Sequence, residues 1–213
     1  MEQNNKTEEN AKLTKRQIQA LNTKNRIYDA AIKNFNEKGF NNVSIEDITK
    51  TARVAKGSFY VHFQSKEDLM LYSYVRADAA YLKAYEESEG RNFIDRMLDF
   101  LEGYYLKFEK AGKGMTKALV SSYFLVPGNN YFKKDRVLIQ CFEKIVEQGK
   151  AEQKLDPEVA TKDYVDQFLS TLIGNEIRWC FDDTGTLSLN DLIQESMRSM
   201  ALGMVRQFEM KST

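Results

Sequence analysis

Two serine-aspartate pairs, Ser44 with Asp47 and Ser65 with Asp68, constrain this chain more than any other feature. A serine oxygen that accepts the backbone N–H three residues on caps the first turn of a helix, and an acid there can reach back to the serine's own N–H. Each pair therefore marks a helix start. The stretch that holds both, Val43 to Leu71, reads VSIEDITKTARVAKGSFYVHFQSKEDLML and predicts two short helices, a tight turn and the opening of a third helix. Ile45, Ile48 and Ala52 give the first helix its buried side. The second, roughly Ala55 to Val61, has few apolar anchors (Val54, Phe59, Phe63) and otherwise carries Lys56, Gly57, Ser58, Tyr60 and His62. A surface so small, basic and hydroxyl-bearing suits a DNA major groove.

On such a surface Lys56 can donate to guanine O6 and N7, Ser58 can serve base edges or phosphate, and Gly57 leaves room for close backbone approach. Tyr60, His62 and Lys66 fall at the end of that helix and the start of the next. There a hydroxyl, an imidazole and an ammonium reach phosphate oxygens and hold register without reading sequence. Taken singly, the lysines read as solvated charges and His62 as a helix-end residue bonded to a carbonyl. Ser44 is a helix cap in either case, with a phosphate contact as an addition.

The segment from Asp29 to Met70 resembles the helix-turn-helix head of the tetracycline-repressor (TetR) family of bacterial regulators. The resemblance rests on Ala30, Ala31, Phe35, Lys38, Gly39 and Phe40, and on Tyr60, His62, Phe63, Ser65, Lys66, Glu67 and Leu69. It implies that Ser44, Lys56, Gly57, Ser58, Tyr60, His62 and Lys66 lie at or near DNA. Phe59 departs from the leucine or isoleucine usual in the family, a change that touches core packing more than contact chemistry.

Charge is distributed to match. The 213 residues sum to a net charge of zero, yet through Lys66 twelve Lys/Arg stand against seven Asp/Glu, so a basic N-terminal third sits on an acidic body. A hydrophobic content of 42% supports a sizeable core. No run approaches the ~18 apolar residues of a membrane span, and the N-terminus MEQNNKTEEN has no apolar signal core, so a cytoplasmic location is expected. Cys141 and Cys180 lack any paired spacing, which points to reduced thiols and to neither a disulfide framework nor a zinc site.

In chain order, residues 1–13 are too polar to fold alone and predict a disordered arm. Thr14 with Gln17 opens a helix that Ile18, Leu21, Ile27, Ala31 and Phe35 carry to a stop at Gly39. After Ser65 a long connecting helix runs through Leu69, Tyr72, Val75, Ala79, Leu82 and Tyr85. Gly90 breaks it, and Phe93 to Ala111 forms the next. Gly112-Lys113-Gly114 lacks a preceding strand and a Ser or Thr ending, so it reads as an interhelical turn and not a phosphate loop. Met115 to Val126 is a short helix ended by Pro127-Gly128-Asn129-Asn130, and Tyr131 to Lys154 is helical again. Asp156 caps a helix with Pro157 at its first position, running to about Phe181 along Tyr164, Phe168, Leu172 and Trp179. Ser188 or Asn190 starts the last helix. No strand-like alternation is present, so the fold class is all-α. The expected organisation is an arm over 1–13, a three-helix DNA-binding domain over 14–66 and a helical ligand-binding and dimerisation domain over 67–213.

One short helix reads too few base pairs, whereas two related by a two-fold axis read a palindrome, with half-sites about 34–36 Å apart. The family resemblance implies that the last two helices form the homodimer, with Gly174, Ala201 and Gly203 allowing close approach. It also implies that the aromatic middle of the body takes a small, largely apolar inducer. Phe100, Tyr104, Tyr123 and Trp179 are the candidate ligand residues, while Glu176 with Arg178 reads as a solvated or paired charge. No nucleophile motif, carboxylate-histidine cluster, metal set or cofactor signature appears, which speaks against an enzyme. The expectation is a ligand-responsive regulator, a repressor released from a double-stranded operator. The alternative is a helical interaction protein controlled by a protein partner.

Overall fold

The computed structural model describes residues 14–88, 91–125 and 135–211, with side chains described throughout except at 123–125 and 211. The expected arm over 1–13, the break at Gly90, the turn at Pro127-Gly128-Asn129-Asn130 and the side chain of Tyr123 lie outside the described residues. Every regular element among those described is helical: α1 (Lys15–Lys38), a 3-10 turn (Phe40–Asn42), α2 (Ile45–Ala52), α3 (Lys56–His62), α4 (Lys66–Glu87), α5 (Phe93–Ala111), α6 (Lys113–Leu125), α7 (Val137–Ala151), α8 (Thr161–Phe181) and α9 (Leu189–Lys211).

The caps fall where the sequence placed them. Thr14 accepts the Gln17 amide while the Gln17 side chain takes the Thr14 N–H, and Gly39, at φ +77°, ends α1 in a conformation open to glycine. Ser44 Oγ accepts the Asp47 amide at 3.1 Å and Asp47 Oδ2 accepts the Ser44 amide at 2.9 Å. Ser65 caps α4 through the Asp68 amide. Between α2 and α3 the chain reverses through Arg53 in the left-handed region.

Four boundaries differ from the sequence expectation. Only Gly112 stands between α5 and α6, because Lys113 and Gly114 already belong to the first turn of α6. The stretch before Val137 is not helical at residues 135 and 136, and Glu152 closes α7. Pro157 does not open α8. The Asp156 carboxylate accepts the Glu158 amide at 3.0 Å and its carbonyl the Val159 amide, which closes a turn, and α8 starts at Thr161.

Two cores form. The head core gathers Ile27, Ala31 and Phe35 of α1, Ile48 of α2, Phe59 of α3 and Phe63, and it draws in Leu69 and Met70 of α4 and Met115 and Ala118 of α6. The body core holds Phe100 and Tyr105 of α5, Phe142 of α7, Phe168 of α8 and Met197 of α9, among others. A cut at Lys66 would part the head from its own Leu69 and Met70. Helices α4 and α6 thus belong to both cores. Contact between α6 and α1 is close: a Cβ at Gly114 would come within 2.5 Å of the Asn36 Cα and the Phe35 carbonyl oxygen. The Asn36 side chain clasps this join, donating to the Ala111 carbonyl at 2.6 Å and accepting the Met115 amide at 3.1 Å.

Candidate nucleic-acid interface and junction cavity

Helix α3 is held by one side only. Phe59 and Phe63 are buried with rings 5.8 Å apart, and Phe63 meets Tyr72 of α4 at 5.6 Å. This anchoring turns Lys56, Gly57, Tyr60 and Val61 outward, with Tyr60 53% exposed, and leaves Ser58 and His62 half-buried. Exposed Lys56, Gly57, Tyr60 and Val61 on this two-turn helix form the candidate face.

The neighbours of that face are specific. Lys56 Nζ lies 2.6 Å from Glu46 Oε1 of α2, and this carboxylate raises the pKa of the ammonium. A nucleic acid would have to displace Glu46. At Gly57 a Cβ would meet nothing within 4 Å, so internal packing does not demand glycine there. Ser44 is exposed, its hydroxyl engaged with Asp47, and Asp47 also meets Lys38 at 2.5 Å; these contacts hold its carboxyl well below the usual range. Burial, then the charge of Lys24, lowers the pKa of His62, so its imidazole is neutral near pH 7. Lys66 is turned inward. Its Nζ donates to the Phe40 carbonyl at 2.7 Å and lies 4.5 Å from the centre of the Phe40 ring, so in the unbound chain it completes the 3-10 turn instead of standing free for phosphate.

A second feature lies where head and body meet. A cavity of about 350 Å³ is walled by Tyr28 and Ile32 of α1, Tyr81 of α4, Tyr104 and Phe108 of α5, Met115 of α6 and Glu176 of α8. Tyr104 stacks on Tyr81 at 3.8 Å and on Phe108 at 5.5 Å, and burial raises its phenol pKa well above the ordinary value.

Of the candidate ligand residues, Tyr104 lines this cavity and two others stand elsewhere. Phe100 is fully buried among Tyr81, Tyr85 and Phe142, where α5 meets α4 and α7. Trp179 donates its indole N–H to the Leu187 carbonyl at 3.0 Å and belongs to the body core. Both are core residues because their helices turn those positions inward. Glu176 corrects the sequence reading in the other direction. It is 2% exposed and lacks an ion-pair partner among the described residues, while Arg178 is exposed. Its Oε1 accepts the Tyr105 hydroxyl at 2.8 Å, and burial pushes its carboxyl up to about 7. A signal existed, because Glu176 interrupts the apolar spacing Tyr164, Phe168, Leu172 one turn before Trp179.

Other chemistry is sparse. Burial pushes the Cys141 and Cys180 thiols up to about 11, which keeps them protonated and unreactive. No group of three metal-binding side chains gathers among the described residues, and no described helix is long and apolar enough to cross a membrane.

Comparison with known proteins agrees with this geometry. Residues 27–72 match the family of bacterial regulatory proteins called the tetR family. The HTH-type transcriptional regulator UidR of Escherichia coli strain K12 is 34% identical over 84 residues, 39% of this chain and 43% of that protein. The A-factor receptor protein of Streptomyces griseus is 24% identical over 183 residues, 86% of this chain and 64% of that protein. The first relatives are matched over only 16% to 43% of their own length. Among solved structures, the fatty acid degradation regulator FadR from Bacillus halodurans superposes with a TM-score of 0.68 at 20% identity, covering 85% of this chain and 95% of that one.

Proposed function

Because the chain belongs, through residues 27–72, to the tetR family of bacterial regulatory proteins, we propose that it is a ligand-responsive repressor acting in the cytoplasm. In this reading two copies bind a palindromic operator through α3, and a small, largely apolar molecule releases them. The observation that carries it is the position of the cavity. Its wall joins Tyr28, Asp29 and Ile32 of the head to Tyr104 and Phe108 of the body, so an occupant touches both. A ligand shifts an equilibrium only through different affinity for two states, and a site shared by the head and the body is where such a difference can arise. The A-factor receptor protein, by its name a receptor for A-factor, aligns with 86% of this chain at 24% identity.

On the DNA side, Lys56, Gly57 and Ser58 form the base-reading turn, and Ser44, Tyr60, His62 and Lys66 hold the flanking phosphates. The homodimer forms through α8 and α9. Gly174 and Gly203 are exposed with open space where a Cβ would stand, and Phe181 and Leu202 expose apolar surface on the same two helices. Sequencing of genomic fragments captured by the purified protein tests the reading. Enrichment of a two-fold symmetric site, with half-sites about one helical turn apart, is the expected result. Capture with no sequence preference at any salt concentration refutes it.

A further inference from the structure

The charged side chains on the cavity wall are paired or exposed, with one exception. Arg76 of α4 meets Asp29 of α1 at 2.8 Å, and Arg136, just before α7, meets Asp78 of α4 at 3.4 Å while its guanidinium lies over the Tyr74 ring. Lys107 stands exposed at the rim, where water serves it. Glu176 is the exception. Tyr105 satisfies its Oε1, but its Oε2 is buried and has no hydrogen-bond partner. A carboxylate withdrawn from water with no counter-charge in contact is strongly unfavourable, and the position gains nothing from an acid structurally, since Phe168, Leu172 and Trp179 share its helix face. Burial holds the carboxyl near 7 despite the lowering pull of Tyr105 and Arg136. A neutral occupant would expel the remaining water and leave the acid unmatched. An anionic occupant would meet Glu176 as a like charge.

We propose that the junction cavity binds a small organic cation, whose charged nitrogen lies against Glu176 and whose apolar body fills the space beside Tyr81, Tyr104 and Phe108. The inference rests on reading this cavity as the regulatory ligand site. The aromatic rings of the wall suit a cation that carries an apolar body, and about 350 Å³ lies at the small end of ligand cavities.

Three probes of similar shape test the charge. Benzyltrimethylammonium, its uncharged carbon isostere neopentylbenzene, and the anion 3-phenylpropanoate would be titrated calorimetrically into the full-length protein, its Glu176→Gln variant and a cavity-filling Ala80→Phe variant. The ammonium should bind the unsubstituted protein about tenfold or more tighter than neopentylbenzene, the scale of one desolvated cation contact. Glu176→Gln, which keeps a partner for Tyr105, should cut that preference to about twofold with neopentylbenzene unaffected, and Ala80→Phe should abolish binding of both. If neopentylbenzene or 3-phenylpropanoate binds as tightly as the ammonium, and Ala80→Phe still blocks it, the assignment of charge is overturned and the cavity stands as the ligand site. If no probe binds, or binding survives Ala80→Phe, the cavity reading itself falls and the proposal with it.

Discussion

The outer face of α3 and the inner wall of the cavity hold their charges in opposite ways. On α3, Lys56 pairs with Glu46 in full contact with water, where an ion pair is worth little and exchanges readily for another partner. In the cavity, Glu176 sits in a low-dielectric wall, where an unmatched charge is a large liability. One region keeps its chemistry cheaply displaceable for a partner that arrives from outside. The other holds a buried acid whose charge is relieved by a proton or, as proposed, by an occupant of opposite charge. The two regions should therefore respond to substitution on different scales and with different pH dependence.

Glu176 gives the largest expected effect. Its carboxyl ionises near 4.5 in the unfolded chain and near 7 in the folded one, so the folded state holds the proton longer and stability falls as pH rises between those values. Below the window neither state is charged, and above it the full cost applies. The stability advantage of Glu176→Gln over the unsubstituted protein should thus grow by about 3 kcal/mol from pH 4.5 to pH 8, as measured by urea unfolding. A difference that stays flat with pH would mean that Glu176 finds a counter-charge in solution and that the contrast with Lys56 is false.

Lys56→Ala comes next. It should cost about 1–3 kcal/mol on the operator and relax specificity at one base step, with little change in stability because its partner Glu46 is exposed. Equal losses on operator and random DNA would move Lys56 from base reading to phosphate binding.

How much of this was legible in the sequence also divides along the comparison. The head is a local object. Ser44, Asp47, Gly39 and Ser65 announce their caps within three or four residues, and Phe59 and Phe63 anchor a helix whose outward side follows at once from a period of 3.6. The cavity is a non-local object, assembled from α1, α4, α5, α6 and α8, and aromatic content alone could not say which rings face the space and which face each other. Phe100 and Trp179 illustrate the difficulty, since both look like wall residues by composition and are core by packing. Glu176 was legible only as an acid in an apolar register. The start of α8 was missed because Asp156-Pro157 serves a turn as well as it serves a helix cap.

Lys66 lies between the two regimes, half-buried and bonded to the Phe40 carbonyl. Lys66→Ala should lower stability by about 1 kcal/mol, the worth of an ordinary hydrogen bond. In a salt titration of DNA binding it should also lower the slope by about one unit if the ammonium swings out to a phosphate on binding, as proposed. A stability loss with an unchanged slope would assign Lys66 to the fold alone.

Gly57 offers the most diagnostic substitution on the outer face. Glycine in a helix is about 0.5–1 kcal/mol less favourable than alanine, and at Gly57 a Cβ would meet no atom of this chain within 4 Å. A backbone angle does not require glycine either, since Gly57 is absent from the positive-φ residues. Gly57→Ala should therefore stabilise the free protein by about 0.5–1 kcal/mol in urea unfolding. If the backbone at Gly57 approaches DNA as closely as proposed, the same methyl group must be accommodated at the interface, and operator affinity should fall by about tenfold, equivalent to about 1.4 kcal/mol. Opposite signs in the two measurements are what a surface shaped for an external partner requires. A gain in stability with unchanged operator binding would show that the DNA passes Gly57 at a distance, and the reading turn would then have to rest on Lys56 and Ser58 alone.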